Sequence, residues 1–103
     1  MNIQVNTDKN ITGTETLVGF VRDQIQSSLS NFNDKITRVE VHLGDENSHK
    51  EGSRDKRCMI EARLERLQPI AVTEQADTIE QAVAGAAGKI KRAIQNSIGK
   101  LGK

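Results

Sequence analysis

A chain of 103 residues has room for one modest hydrophobic core, so a single domain over residues 1–103 is expected. Hydrophobic residues make up 35% and aromatic residues 2%, which leaves Ile, Val, Leu and Ala to build the core, with Phe20 and Phe32 as its only large rings, and excludes a platform of exposed aromatics for stacking single-stranded bases. The net charge of +1 hides an uneven distribution: residues 1–80 carry all 14 acidic side chains and ten basic ones, whereas residues 81–103 carry five basic side chains and no acid, so a localised polyanion site is expected.

No apolar run approaches the ~20 residues of a membrane span, and the start Met1-Asn2-Ile3-Gln4-Val5 has neither the basic nor the apolar region of a secretion signal. A cytoplasmic location with no membrane partner is expected. Cys58 is the single cysteine, which rules out an internal disulfide and any multi-cysteine metal site; a buried strand residue is the expected role.

In chain order, Ile3 and Val5 alternate with polar neighbours as a short half-buried strand does. After the loop from Asn6 to Gly13, Thr12-Gly13-Thr14-Glu15 fits a capping box, with Thr14 as a rival cap. Leu17, Val21, Ile25 and Leu29 then recur every fourth residue, which predicts a helix from about Thr14 to Ser30, ended by Asn31-Phe32-Asn33-Asp34. Val39, Val41 and Leu43 alternate with Arg38, Glu40 and His42, giving a strand with one buried and one wet face. The segment from Gly44 to Lys56 is polar throughout and reads as an exposed hairpin loop. Cys58, Ile60, Ala62 and Leu64 mark a second long strand, antiparallel to the first, and Pro69 belongs at the start of a third strand, Ile70 to Thr73, or on a sheet edge. Asp77-Thr78-Ile79-Glu80 reads as a helix start with Asp77 as cap, and Ile79, Val83, Ala86, Ile90, Ile94 and Ile98 form the apolar stripe of a last helix running to about Gly99. Gly85 and Gly88 each weaken that helix by up to ~1 kcal/mol relative to Ala. Their expected use is close approach to another backbone, either that of the first helix or a ligand, with packing preferred.

The order strand, helix, three strands, helix predicts an α+β fold with two helices on the apolar face of a four-stranded sheet. At roughly 100° per residue, with Lys89 set at zero, Arg92 falls near 300°, Asn96 near 340°, Lys100 near 20° and Lys103 near 320°, whereas Lys91 falls near 200°, off the stripe. Four cations and an amide therefore share one edge beside the packed face. Phosphates attract such an array through charge and counterion release, and Arg92 adds paired hydrogen bonds. On charge alone, a solvated flank whose cations suit the negative end of the helix dipole is the slightly stronger reading.

The whole pattern tips the balance. The short first strand, the capped helix, the strand Arg38-Val39-Glu40-Val41-His42-Leu43, and Asp77-Thr78-Ile79-Glu80-Gln81-Ala82-Val83 followed by Lys89-Ile90-Lys91-Arg92 together resemble the ribosome hibernation-promoting factor or ribosomal subunit-interface family, over residues 1 to about 101. The resemblance implies a β-α-β-β-β-α fold related to double-stranded RNA-binding domains. It implies a non-catalytic protein, without cofactor or small-molecule substrate, that binds the small ribosomal subunit and the 70S ribosome. There it would occupy the decoding cleft on 16S rRNA, silencing and preserving idle ribosomes under stress. Lys89 and Arg92 match the basic positions that members use on the last helix, and Lys91, Asn96, Lys100 and Lys103 join them as candidate RNA contacts. Two departures stand out. The first helix carries Gln24, Ser27 and Ser28 where members often place lysine, and the loop from Gly44 to Lys56 is longer than usual, its Lys50, Arg54 and Lys56, with Arg57 at the strand edge, supplying compensating phosphate contacts. An extra C-terminal domain of the kind that pairs ribosomes in long members is not expected.

An enzyme reading has little support, since His42 lies on the wet strand face and His49 in the polar loop. Asp45, Glu46, His49 and Glu51 lack the spacing of a metal site, and none is expected. The stronger rival is a protein-interaction module or regulatory adaptor that dimerises through the open sheet face of Arg38, Glu40, His42, Met59, Glu61 and Arg63, or through a free edge strand. Salt separates the two readings, because phosphate binding weakens steeply as salt rises and sheet pairing does not.

Overall fold

The structure is a computed structural model that describes residues 1–46 and 55–101, the last two in backbone only. Lys50, Arg54, His49 and Lys103 lie outside the described residues. The elements are β1 (Asn2–Thr7), α1 (Glu15–Leu29), a 3-10 turn (Ser30–Phe32), β2 (Ile36–Asp45), β3 (Lys56–Leu64), β4 (Ile70–Ala76) and α2 (Ile79–Leu101).

The strands form one sheet in the order β1-β2-β3-β4. β1 runs parallel to β2, with Ile3 against Val39 and Val5 against Val41, whereas β2–β3 and β3–β4 are antiparallel. A parallel neighbour cannot be reached by a tight hairpin, so α1 serves as the crossover between β1 and β2. Both helices cover the same sheet face, α1 over β1 and α2 over β3 and β4, and they touch each other.

Alternation decides which side chains meet the helices. Ile3, Val39, Val41, Leu43, Cys58, Ile60, Ala62 and Leu64 point inward from the strands, against Val21, Ile25 and Leu29 of α1 and Ala82, Val83, Ala86, Ala87, Ile90 and Ile94 of α2. Every buried residue among those described is apolar. Phe20 and Phe32 do not fill the centre; they are half-buried and pack at its margin. The space between helices and sheet is occupied by branched aliphatics and by the alanines of α2, which let its backbone come close.

At α1 the structure chooses the rival cap Thr14 at the helix start expected, whereas at α2 the cap shifts by one residue. The Leu17 amide donates to Thr14 Oγ1 at 3.1 Å, so Thr14, not Thr12, caps α1. At α2 the Gln81 amide donates to Thr78 Oγ1 at 3.1 Å, and Thr78 takes the role expected of Asp77. In each case the hydroxyl stands three residues before the amide it satisfies, the reach of an N-cap side chain. β4 also continues past Thr73 to Ala76, paired throughout with β3, and Pro69 precedes its first residue, where a missing amide hydrogen costs no ladder bond.

Candidate nucleic-acid interface

The buried stripe of α2 sets how the helix is turned. With Val83, Ala86, Ile90 and Ile94 fully buried, Lys89, Arg92 and Asn96 are left exposed together along one edge, and Lys91 is half-buried away from it. Lys100 continues the helix, and its side chain is not described. Gly85 and Gly88 lie four residues before Lys89 and Arg92, respectively. Arg92 reaches back toward the preceding turn, its guanidinium 3.6 Å from where a side chain at Gly88 would begin.

Lys89 arrives on this edge already engaged. Its ammonium stands 2.7 Å from Glu74 Oε1 and donates to the Thr73 carbonyl oxygen at 2.9 Å. Glu74 occupies an unusual place: paired with Cys58, it follows Ile70 and Val72 on the helix-facing side of edge strand β4. An acid fits there because Gly85 has no side chain. A Cβ at position 85 would lie 2.8 Å from Glu74 Cγ and 2.9 Å from its Cδ, too close to coexist. The expected approach of Gly85 to another backbone is thus replaced by contact with the Glu74 side chain of β4. Sequence reasoning missed Glu74, although an acid in the inward phase of a strand was a visible signal. By contrast, no ion pair engages Arg92 or Lys91 among the described residues.

The cations at the base of the β2–β3 hairpin are differently placed. Lys56 lies 3.2 Å from Asp45 and 3.3 Å from Asp55, and the Asp45 hydrogen bond, with that of Asp55, raises its pKa against the opposing effect of burial. Arg57 Nε lies 3.3 Å from Glu46. Lys56 pairs with Ala76, beside the start of α2, so this group stands roughly 20 Å along the helix axis from Arg92. The structure therefore keeps Lys56 and Arg57 apart from Arg92, whereas the Lys89 ammonium lies against Thr73 and Glu74, whose β3 partners Met59 and Cys58 follow Arg57 in the chain.

The open sheet face answers its own charges along each strand. Arg38 lies 2.6 Å from Glu40 and Arg63 3.7 Å from Glu61, although in register Arg38 opposes Arg63 and Glu40 opposes Glu61. His42 is 3.8 Å from Glu40 on this face. Cys58 is fully buried, and burial pushes its thiol up to about 12, which leaves little reactive thiolate at neutral pH. Among the described residues no three His, Cys, Asp or Glu side chains are disposed to hold a metal, and no helix is long and apolar enough to cross a membrane.

The architecture is shared with solved structures. The N-terminal domain of Protein Y from Thermus thermophilus superimposes with a TM-score of 0.74 at 19% identity, covering 93% of this chain and 98% of that one. A ribosomal subunit interface protein from Coxiella burnetii gives a TM-score of 0.78 at 12% identity, covering 96% and 99%. At these identities the likeness establishes the fold. No curated protein matches the chain by sequence. Residues 3–101 do match the model of the Sigma 54 modulation protein / S30EA ribosomal protein family, and with nearly the whole chain matched, this protein belongs to that family.

Proposed function

We propose that this protein is a non-catalytic translation inhibitor that binds the small ribosomal subunit, in the cytoplasm, and occupies the decoding cleft through phosphate contacts to 16S rRNA. In this reading it stabilises idle ribosomes, as free subunits or 70S particles, under stress. Family membership supports a ribosome-associated role. The observation that carries the contact surface is the edge of α2: Arg92 and Asn96 are exposed one turn apart in a segment, residues 81–103, that contains five cations and no acid. A phosphate backbone meets there a guanidinium able to form paired hydrogen bonds and an amide able to donate beside it. Lys89, Lys91 and Lys100 add charge along the same helix, and Lys103, outside the described residues, adds to the charge of the segment. Lys56 and Arg57 form a separate, secondary set at the base of the β2–β3 pair, and Lys50 and Arg54, outside the described residues, are assigned to the same secondary contact from sequence alone.

The test is cosedimentation with purified 30S and 70S particles at rising salt. Wild-type protein is expected to pellet with 30S particles at low salt and to be released as salt rises, and prebound messenger and transfer RNA are expected to exclude it. Arg92→Glu is expected to lose binding while keeping its circular dichroism spectrum. Arg92 is the better target because a glutamate at position 89 would face Glu74 and confuse folding with binding. Undiminished binding by folded Arg92→Glu protein would refute the assignment of the surface.

A further inference from the structure

We infer that Glu74 is an internal substitute for an RNA phosphate: it holds Lys89 in the free protein and gives it up when a phosphate backbone arrives. The inference rests on the reading of the α2 edge as the RNA-binding surface. Lys89 is the one cation of the described edge with a carboxylate partner, and that partner comes from another element, seated in the space that Gly85 leaves in the helix. Carboxylate and carbonyl oxygens present to the ammonium the same kind of acceptors that a phosphate would. The pair is not sealed in. Side-chain exposures of 44% for Lys89 and 26% for Glu74 leave the ammonium within reach of an incoming anion, and four methylene groups let it swing without moving the helix.

Arg92, with no such partner among the described residues, is the first point of contact. Lys89 lies about one turn before it, roughly 5 Å along the axis, so a polynucleotide backbone held by Arg92 brings a neighbouring phosphate toward Lys89. A single small anion has no such second charge with which to outcompete Glu74. The exchange therefore favours a continuous phosphate backbone over isolated phosphates and keeps the edge less adhesive to other anions.

The experiment is a double-mutant cycle read as affinity for purified 30S particles at fixed low salt, with thermal unfolding as the folding control. Glu74→Gln is expected to tighten binding roughly two- to fivefold, the strength of a partly exposed ion pair. In a Lys89→Gln background the same change is expected to do no more than Glu80→Gln, which makes the same unit change of charge away from Lys89, in the first turn of α2. Inorganic phosphate is expected to compete more effectively against the Glu74→Gln variant than against wild type. A folded Glu74→Gln protein with no gain, or a gain that survives intact without Lys89, would overturn the exchange. If Arg92→Gln weakens binding while Glu74→Gln changes nothing, the exchange alone is wrong. If the wild-type protein does not bind 30S particles, both the exchange and the RNA-binding reading fall.

Discussion

Replacing Gly85 by alanine tests whether the Glu74 carboxylate is seated on α2. In an unobstructed helix interior Gly→Ala stabilises by about 1 kcal/mol, because alanine loses less backbone entropy on folding. Gly19 in α1 is such a position, with nothing within 4 Å of a new Cβ. At Gly85 the same methyl group would lie 2.8 Å from Glu74 Cγ, so the carboxylate must leave its place and release Lys89. Loss of a partly exposed pair costs about 0.2–1 kcal/mol and the crowding about 1–3 kcal/mol. Set against the propensity gain, Gly85→Ala is expected to be neutral to clearly destabilising, and the two alanine variants to differ by about 1–4 kcal/mol. Urea unfolding followed by circular dichroism measures the difference directly, and thermal unfolding should separate the midpoints by at least about 4 °C for a domain of this size. Equal stabilisation by both substitutions would show that Glu74 does not rest against Gly85, and the account of Lys89 would fail with it.

The helix caps give a sharper contrast. Thr14→Ala and Thr78→Ala are each expected to cost about 1 kcal/mol in urea unfolding, whereas Thr12→Ala should change little; a large Thr12 effect would return the α1 cap to that residue. Cys58 couples stability to alkaline pH. Its thiol titrates near 9.0 in the unfolded chain and is pushed up to about 12 by burial, so the unfolded state loses the proton first; stability is full below pH 9 and falls as pH rises toward 12, by up to about 1.4 kcal/mol per pH unit. The loss should be absent from Cys58→Ala, and native Cys58 should react with a thiol reagent only as fast as the protein opens. Rapid labelling without unfolding would contradict its burial.

Much of this fold was legible in the residues themselves, because burying one face of a strand or helix writes a period into the chain. The alternation of Val39, Val41 and Leu43 and of Cys58, Ile60, Ala62 and Leu64, and the stripe from Ile79 to Ile98, place the inward side chains where the structure has them. The same periods turn Lys89, Arg92 and Asn96 to a common edge. Periodicity says nothing about which element lies across from a given face. The parallel pairing of β1 with β2, the threonine chosen for each cap, the aspartates around Lys56 and the carboxylate that meets Lys89 all depend on contacts between residues far apart in the chain. A sequence can present a row of positive charges, but only the packing of β4 beneath α2 decides which of them reaches solvent without a partner, since a charge is neutralised by whatever the fold brings within a few ångströms of it.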